Sequence, residues 1–256
     1  MNILLVNDDG IDAPGIAKLY EAVRGFGSVT VVAPDGEQSA VGHGITLDKP
    51  MPVRTVVRDG LFTGTAVCGT PADCVKLALT EIMDHRPDLV ISGINLGCNT
   101  GLNVIYSGTV GGAAEAAFNR IPAIAVSLTT YKDPLWETAV RFTRDLVRTV
   151  IEQGMPDGIV LNVNIPNVPS AAIAGVMITE QGMAQWKESF SKRVDPKGRT
   201  YYWMGGIKKE LREKETIDDT AIKNNYISVT PIQFNLTAYD KLEHLKTWDL
   251  HYRNED

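Results

Sequence analysis

Over its first two-thirds the chain alternates short apolar runs with segments of helical periodicity, and this alternation constrains the fold more than any other feature. The apolar runs at 2–7, 28–33, 88–93 and 122–128 have the length of buried strands. Strands buried on both faces and joined through helices form parallel sheets, because a parallel crossover needs a dozen or more residues. The predicted class is therefore α/β, a Rossmann-like and mainly parallel sheet with helices on both faces. Helices are expected over 13–25, 71–83, 109–119 and 134–153, and further strands at 158–166 and 171–179. Residues 46–66 read as strand material, a hairpin or an edge extension. After about residue 180 the texture changes. The stretch QGMAQWKESFSKRVDPKGRTYYWMGG is polar, carries scattered aromatics and turns at DPKG, the pattern of a protruding β-hairpin. NNYISVTPIQF supplies a late strand, and 238–252 a terminal helix carrying Trp248 and Tyr252. Residues 1–180 form the expected core, which carries the functional site. Residues 181–256 form a hairpin and C-terminal oligomerisation region of the same structural unit.

A chain of 256 residues suits one large domain, or a core with a smaller lobe. Its net charge of −6 argues against binding a nucleic-acid polymer. MNILLVNDDG has no basic leader, and no apolar stretch approaches 18 residues, so neither a signal peptide nor a membrane span is expected and the predicted location is cytoplasmic. Cys68, Cys74 and Cys98 are odd in number, fit no zinc spacing and read as free thiols of a reducing compartment. Apolar residues in the late lobe call for a partner, so a homo-oligomer is expected.

The chemistry concentrates where strands end. The first strand runs straight into Asp8 and Asp9. Open α/β sheets bind ligands just beyond the carboxyl ends of their strands. Two adjacent acids there repel one another unless a cation neutralises them, which points to a divalent metal on hard oxygen ligands. One of the pair alone would suffice to begin the turn before Gly10, and Asp12 is expected to cap the helix near Pro14. Under this topology PDGEQSA at 34–40, SGINLGCNTG at 92–101 and YSGTVGGA at 106–113 face the same crevice. Ser39 and Asn95 add oxygen donors suited to Mg²⁺ or Mn²⁺, although loop serines are usually solvated and a Gly-flanked Asn usually serves the backbone. Ser107-Gly108-Thr109 opens a helix, whose N-terminal N–H groups and dipole favour an anion such as phosphate. Simple capping by Ser107 or Thr109 is the alternative. Asn99 and Thr100, in the preceding loop, are within reach of the same phosphate. His43 is the remaining titratable group near the 35–44 loop, and a lone histidine is more often structural.

Four ordered motifs make a resemblance specific: VNDDGIDAPGI, PDGEQSAVGHGIT, ISGINLGCNTGLNVIYSGTVGGAAEA and YISVTPI. Together they resemble the SurE family of metal-dependent nucleotidases, over nearly the whole chain. The resemblance implies hydrolysis of nucleoside 5′- or 3′-monophosphates, with short polyphosphate as a further substrate. It also implies one Mg²⁺ or Mn²⁺ per subunit and a C-terminal element exchanged between subunits of a homodimer or tetramer. Asp8, Asp9, Ser39 and Asn95 fall on the family's metal ligands, with Asp8 and Asp9 nearest the reaction. Asn99, Ser107, Gly108 and Thr109 fall where the family holds phosphate. Asp219-Thr220 matches an acidic-Thr pair ahead of the late strand, and no site residue is expected beyond Tyr239.

Two other classes fit less well. ILLVNDDG also resembles the first strand of receiver domains, but those are roughly half this length, and the strand DLVISG ends in Ser92-Gly93 without an acid. A dinucleotide-binding dehydrogenase would need G-x-G-x-x-G after the first strand, where NDDGID places two acids instead.

Overall fold

The computed structural model describes residues 1–58, 60–184, 186–209 and 214–251, the side chain of Trp186 excepted. In chain order the elements are β1 (Asn2–Val6), α1 (Pro14–Val23), β2 (Ser28–Pro34), β3 (Val53–Arg58), β4 (Phe62–Val67), α2 (Pro71–Leu77) and β5 (Leu89–Leu96). They continue with α3 (Gly108–Phe118), β6 (Ala123–Leu128), α4 (Trp136–Gln153), β7 (Ile159–Ile165), β8 (Gly175–Ile178), β9 (Trp186–Val194) and β10 (Thr200–Lys208). Last come α5 (Asp218–Lys223), β11 (Tyr226–Gln233) and α6 (Tyr239–Lys246).

Nine strands form one sheet in the order β3-β4-β2-β1-β5-β6-β7-β11-β8. Its centre, from β4 through β7, is parallel. Antiparallel pairing enters with β3 on β4 and with β11 on β7. The late strand β11 thus returns to the main sheet, while β9 and β10 pair with each other as a separate antiparallel ribbon.

Side-chain alternation along β1 shows why both faces need helices. Ile3 and Leu5 join a buried cluster with Ile16 and Leu19 of α1 and Val147 of α4. Leu4 and Val6 join a second cluster with Val75 of α2 and Val110 and Ala113 of α3. Each fully buried side chain of this size contributes about 1.5–3 kcal/mol relative to exposure. From β1 the chain passes through α1 on one face to β2. β5 later docks on the other side of β1 after α2 has covered the opposite face. The strand order therefore switches between β1 and β5, and a crevice opens at their carboxyl ends.

A bulge shapes that crevice. Ser92 pairs with Ala125 but Asn95 pairs with Ser127, so β5 carries one residue more than β6. Gly93 stands at φ +136°, and a Cβ there would lie 2.4 Å from the Val126 carbonyl oxygen. Only glycine fits this position, and the bulge turns Asn95 toward the crevice.

Several expected boundaries move. Residues 46–52 contain no strand, and the hairpin occupies 53–67. The helix expected over 71–83 ends at Leu77 and continues as a wider turn, Ala78–Ile82. Residues 171–179 divide into a short turn and β8, α6 stops at Lys246, and Tyr252 lies outside the described residues. Asp12 does not cap α1. Ala13 holds the N-cap position, which leaves Asp12 one residue too early to reach the helix N–H groups, and it faces Arg54 at 3.5 Å. The thiols of Cys68, Cys74 and Cys98 are free. No helix among the described residues is long and apolar enough to cross a membrane.

Candidate active site

β1 delivers Asp8 into the crevice, where the side chain is almost wholly buried. The N-terminus of α3 meets it there. The Thr109 hydroxyl donates to Asp8 Oδ1 at 2.6 Å, and the Thr109 backbone N–H adds a second contact. Burial still pushes the Asp8 carboxyl above the usual range, with Glu37 adding to the shift. Asp9, half-buried, is raised to about 7 by its own burial and by the charges of Asp8 and Glu37, against a contact from the Leu96 backbone. These two carboxyl groups resist ionising side by side. A divalent cation is the group that would relieve both.

The 35–44 loop is brought in by backbone bonds: Gln38 N–H donates to the Asp8 carbonyl at 2.7 Å, and Gly42 N–H to the Tyr106 carbonyl at 2.9 Å. Ser39 stands exposed at the crevice and donates to the Glu37 carboxylate. Next to it Ala40 adopts φ +58°, a left-handed conformation that costs a non-glycine residue energy. Asn95 donates to the Gly97 carbonyl at 2.8 Å, which leaves its side-chain oxygen toward the cavity. Asp8, Ser39, Asn95, Asn99 and Ser107 all line one cavity of about 720 Å³. Its opposite wall is the hairpin, at Glu188 and Met204 to Gly206, with Tyr131 alongside. The donor set is entirely oxygen, as Mg²⁺ or Mn²⁺ prefers, and no cluster of three His, Cys, Asp or Glu occurs among the described residues.

Ser107 is the N-cap of α3, its oxygen accepting from Val110 N–H at 3.1 Å. That bond uses a lone pair, so the hydroxyl proton remains available to an oxygen in the cavity. Gly108 follows, and its missing side chain lets the helix end touch the carboxylate: a Cβ there would lie 2.8 Å from Asp8 Cβ. Thr109 is fully buried and faces Asp8, so its hydroxyl holds the carboxylate. Asn99 is fixed by a buried network. Its N–H donates to Asn164 Oδ1 and its amide to Ser127 Oγ, both at 2.8 Å. Its carbonyl accepts from Asn162 at 2.7 Å and from Asn164 at 3.1 Å.

Thr100, expected to reach the phosphate, does not line the cavity. It is completely buried, and its hydroxyl donates to Asp219 at 2.7 Å. His43 also faces away. It meets Glu115 at 3.0 Å and stacks on Phe118, with ring centroids 4.9 Å apart. Glu37, Asn162, Asn164 and the hairpin wall were not anticipated. The two asparagines left a trace: IVLNVNI places polar residues two apart in an otherwise apolar strand, which marks one face of β7 as polar where burial is complete.

The family model described as "Survival protein SurE" matches residues 3–188. The chain belongs to the SurE family. The 5′-nucleotidase SurE of Syntrophobacter fumaroxidans is 47% identical over 250 residues, covering 98% of this chain and 100% of that protein. The 5′-nucleotidase SurE of Chlorobaculum tepidum is 44% identical, covering 97% and 95%. The crystal structure of SurE protein from Aquifex aeolicus superposes with a TM-score of 0.83 at 41% identity, covering 96% of this chain and 98% of that one. The two chains thus share their overall fold.

Proposed function

We propose that this SurE protein is a divalent-metal-dependent nucleotidase that hydrolyses nucleoside 5′- and 3′-monophosphates to nucleoside and phosphate, with short polyphosphate as a further substrate. The observation that carries the reading is the convergence of Asp8, Ser39, Asn95 and Ser107 on one cavity, at the strand-order switch between β1 and β5. Relatives named 5′-nucleotidase SurE, at 44–47% identity over nearly the full chain, support it.

Asp8, Asp9, Ser39 and Asn95 would hold one Mg²⁺ or Mn²⁺ per subunit. Bound there, such an ion polarises a phosphoryl oxygen and lowers the pKa of water. Ser107 donates its hydroxyl proton to a phosphate oxygen, and the first turn of α3, at Gly108 and Thr109, sets a positive helix end beside the developing charge. Asn99 holds the far side of the phosphate from a loop that Asn162 and Asn164 keep rigid. Of the acidic pair, Asp8 or Asp9 assists the proton transfer from the attacking water. Residues 181–256 serve as hairpin and oligomerisation region of a cytoplasmic homodimer or tetramer. The apolar side chains of Leu236, Trp248 and Leu250, which stand in solvent on this subunit, fit a tail exchanged with its partner.

Phosphate release from a panel of nucleoside 5′- and 3′-monophosphates, after chelator treatment and then with added Mg²⁺ or Mn²⁺, tests the reading. Release that requires metal is expected. Folded protein that releases no phosphate with either ion would overturn it.

A further inference from the structure

The feet of the β9–β10 hairpin are tied to the loop after β5 by a polar cluster behind the cavity. Lys208, the last residue of β10, donates to Thr100 Oγ1 at 2.9 Å and pairs with the Asp219 carboxylate. The Thr100 hydroxyl donates to the same carboxylate at 2.7 Å. Next to it Asp218, fully buried, accepts from Gly101 N–H at 2.9 Å and from Gly182 N–H at 3.0 Å. Gln181 reaches the Gly101 carbonyl at 2.9 Å, and Leu102 N–H the Ala184 carbonyl at 3.2 Å. Both feet of the hairpin are therefore fastened to residues 100–102, directly and through Asp218 and Asp219 of α5.

The two things joined here are the two walls of the cavity. Asn99, one residue before Thr100, lines the phosphate side, and Met204 to Gly206, just before Lys208, line the other. Apart from Glu188, whose carboxylate would repel a phosphate, that second wall with Leu96 and the Tyr131 ring is apolar and aromatic, and its two glycines present bare backbone. Such a surface suits the flat face of a nucleobase rather than a phosphate. A wall that binds by stacking is sensitive to its separation from the anchored phosphate, because rigid placement lowers the cost of ordering on binding.

We infer that Thr100, Asp219 and Lys208 are positioning residues that hold the hairpin wall at a fixed distance from the phosphate loop and so set affinity for the nucleoside half of the substrate. The inference rests on the nucleotidase reading. Lys208→Met keeps the aliphatic stem, and Thr100→Val keeps the buried shape. In each, KM for AMP should rise on the order of ten-fold, the effect of losing one charge-assisted hydrogen bond. kcat should stay within about two-fold, since Asp8 and Ser107 are untouched, and the inhibition constant of inorganic phosphate should not move. Unfolding midpoints identify a variant that fails to fold, and Thr100→Val stands in if Lys208→Met does so. An unchanged KM for AMP, or equal losses for AMP and phosphate, overturns the inference. Wild-type protein that cleaves no nucleotide with any metal removes the nucleotidase reading instead, a separate outcome.

Discussion

Replacing Gly108 by alanine tests how closely the α3 terminus and Asp8 depend on each other. Glycine is a poor helix former, so alanine in open space would stabilise the helix by up to roughly 1 kcal/mol. Here the new methyl group would lie 2.8 Å from Asp8 Cβ and 3.0 Å from its Oδ2. Carbon atoms in contact ordinarily stand about 3.5–4.0 Å apart, so something must yield by roughly 1 Å. Asp8 Cβ belongs to a buried residue at the end of a central strand, and Thr109 grips its carboxylate. The displacement therefore falls on the Asp8 carboxylate or on the helix end, both of them parts of the site. A misplacement of this size near reacting groups costs on the order of 100-fold in rate. The assay is steady-state phosphate release from AMP at saturating Mn²⁺, with the thermal midpoint measured in parallel. Gly108→Ala should keep a cooperative transition and lose about 10- to 100-fold in kcat. A folded variant with wild-type kcat would refute the close contact of helix and carboxylate on which the site is built.

Thr109→Val removes the hydroxyl that donates to Asp8 while keeping a shape that fits a fully buried position. Loss of a hydrogen bond to a charged group, about 1.5–3 kcal/mol, should raise the Mn²⁺ concentration for half-maximal activity roughly 10-fold or more, and an unchanged metal titration would contradict the assignment. Glu115 is buried, which by itself raises its pKa, but His43 and Lys76 outweigh that and hold the carboxyl below its ordinary value. A lowered pKa gives stability that is complete above the unfolded value, about 4.3, and is lost as pH falls through the lower folded one. Urea midpoints measured from pH 6 down to pH 3 should accordingly fall less steeply in Glu115→Gln than in wild type, and parallel curves would show that the ion pairs contribute nothing.

The parts of the site legible in the sequence are those set by local pattern. β1 could be read because four consecutive apolar residues are followed, after Asn7, by two acids, and α3 because Ser107-Gly108-Thr109 opens its run of small residues. DPKG announced the hairpin turn at 195–198. What stayed hidden depends on partners far apart in the chain. Thr100 reads as a phosphate ligand from its place beside Asn99, yet its hydroxyl is claimed by Asp219, 119 positions later. Asn99 owes its orientation to Asn162 and Asn164, more than 60 residues away. α5 is six residues long, too short for a periodic apolar stripe to show. Asp12 misled because an acid before a Pro-Gly helix start has the composition of a cap, and only the backbone shows that Ala13 holds that position.

The most direct test of the central claim is anomalous scattering from crystals of the wild-type protein soaked in Mn²⁺. The account predicts one strong peak per subunit, bounded by the oxygens of Asp8, Asp9, Ser39 and Asn95, and its loss in Asp8→Asn. A peak elsewhere in the chain, or none in protein that binds Mn²⁺ in solution, would contradict it.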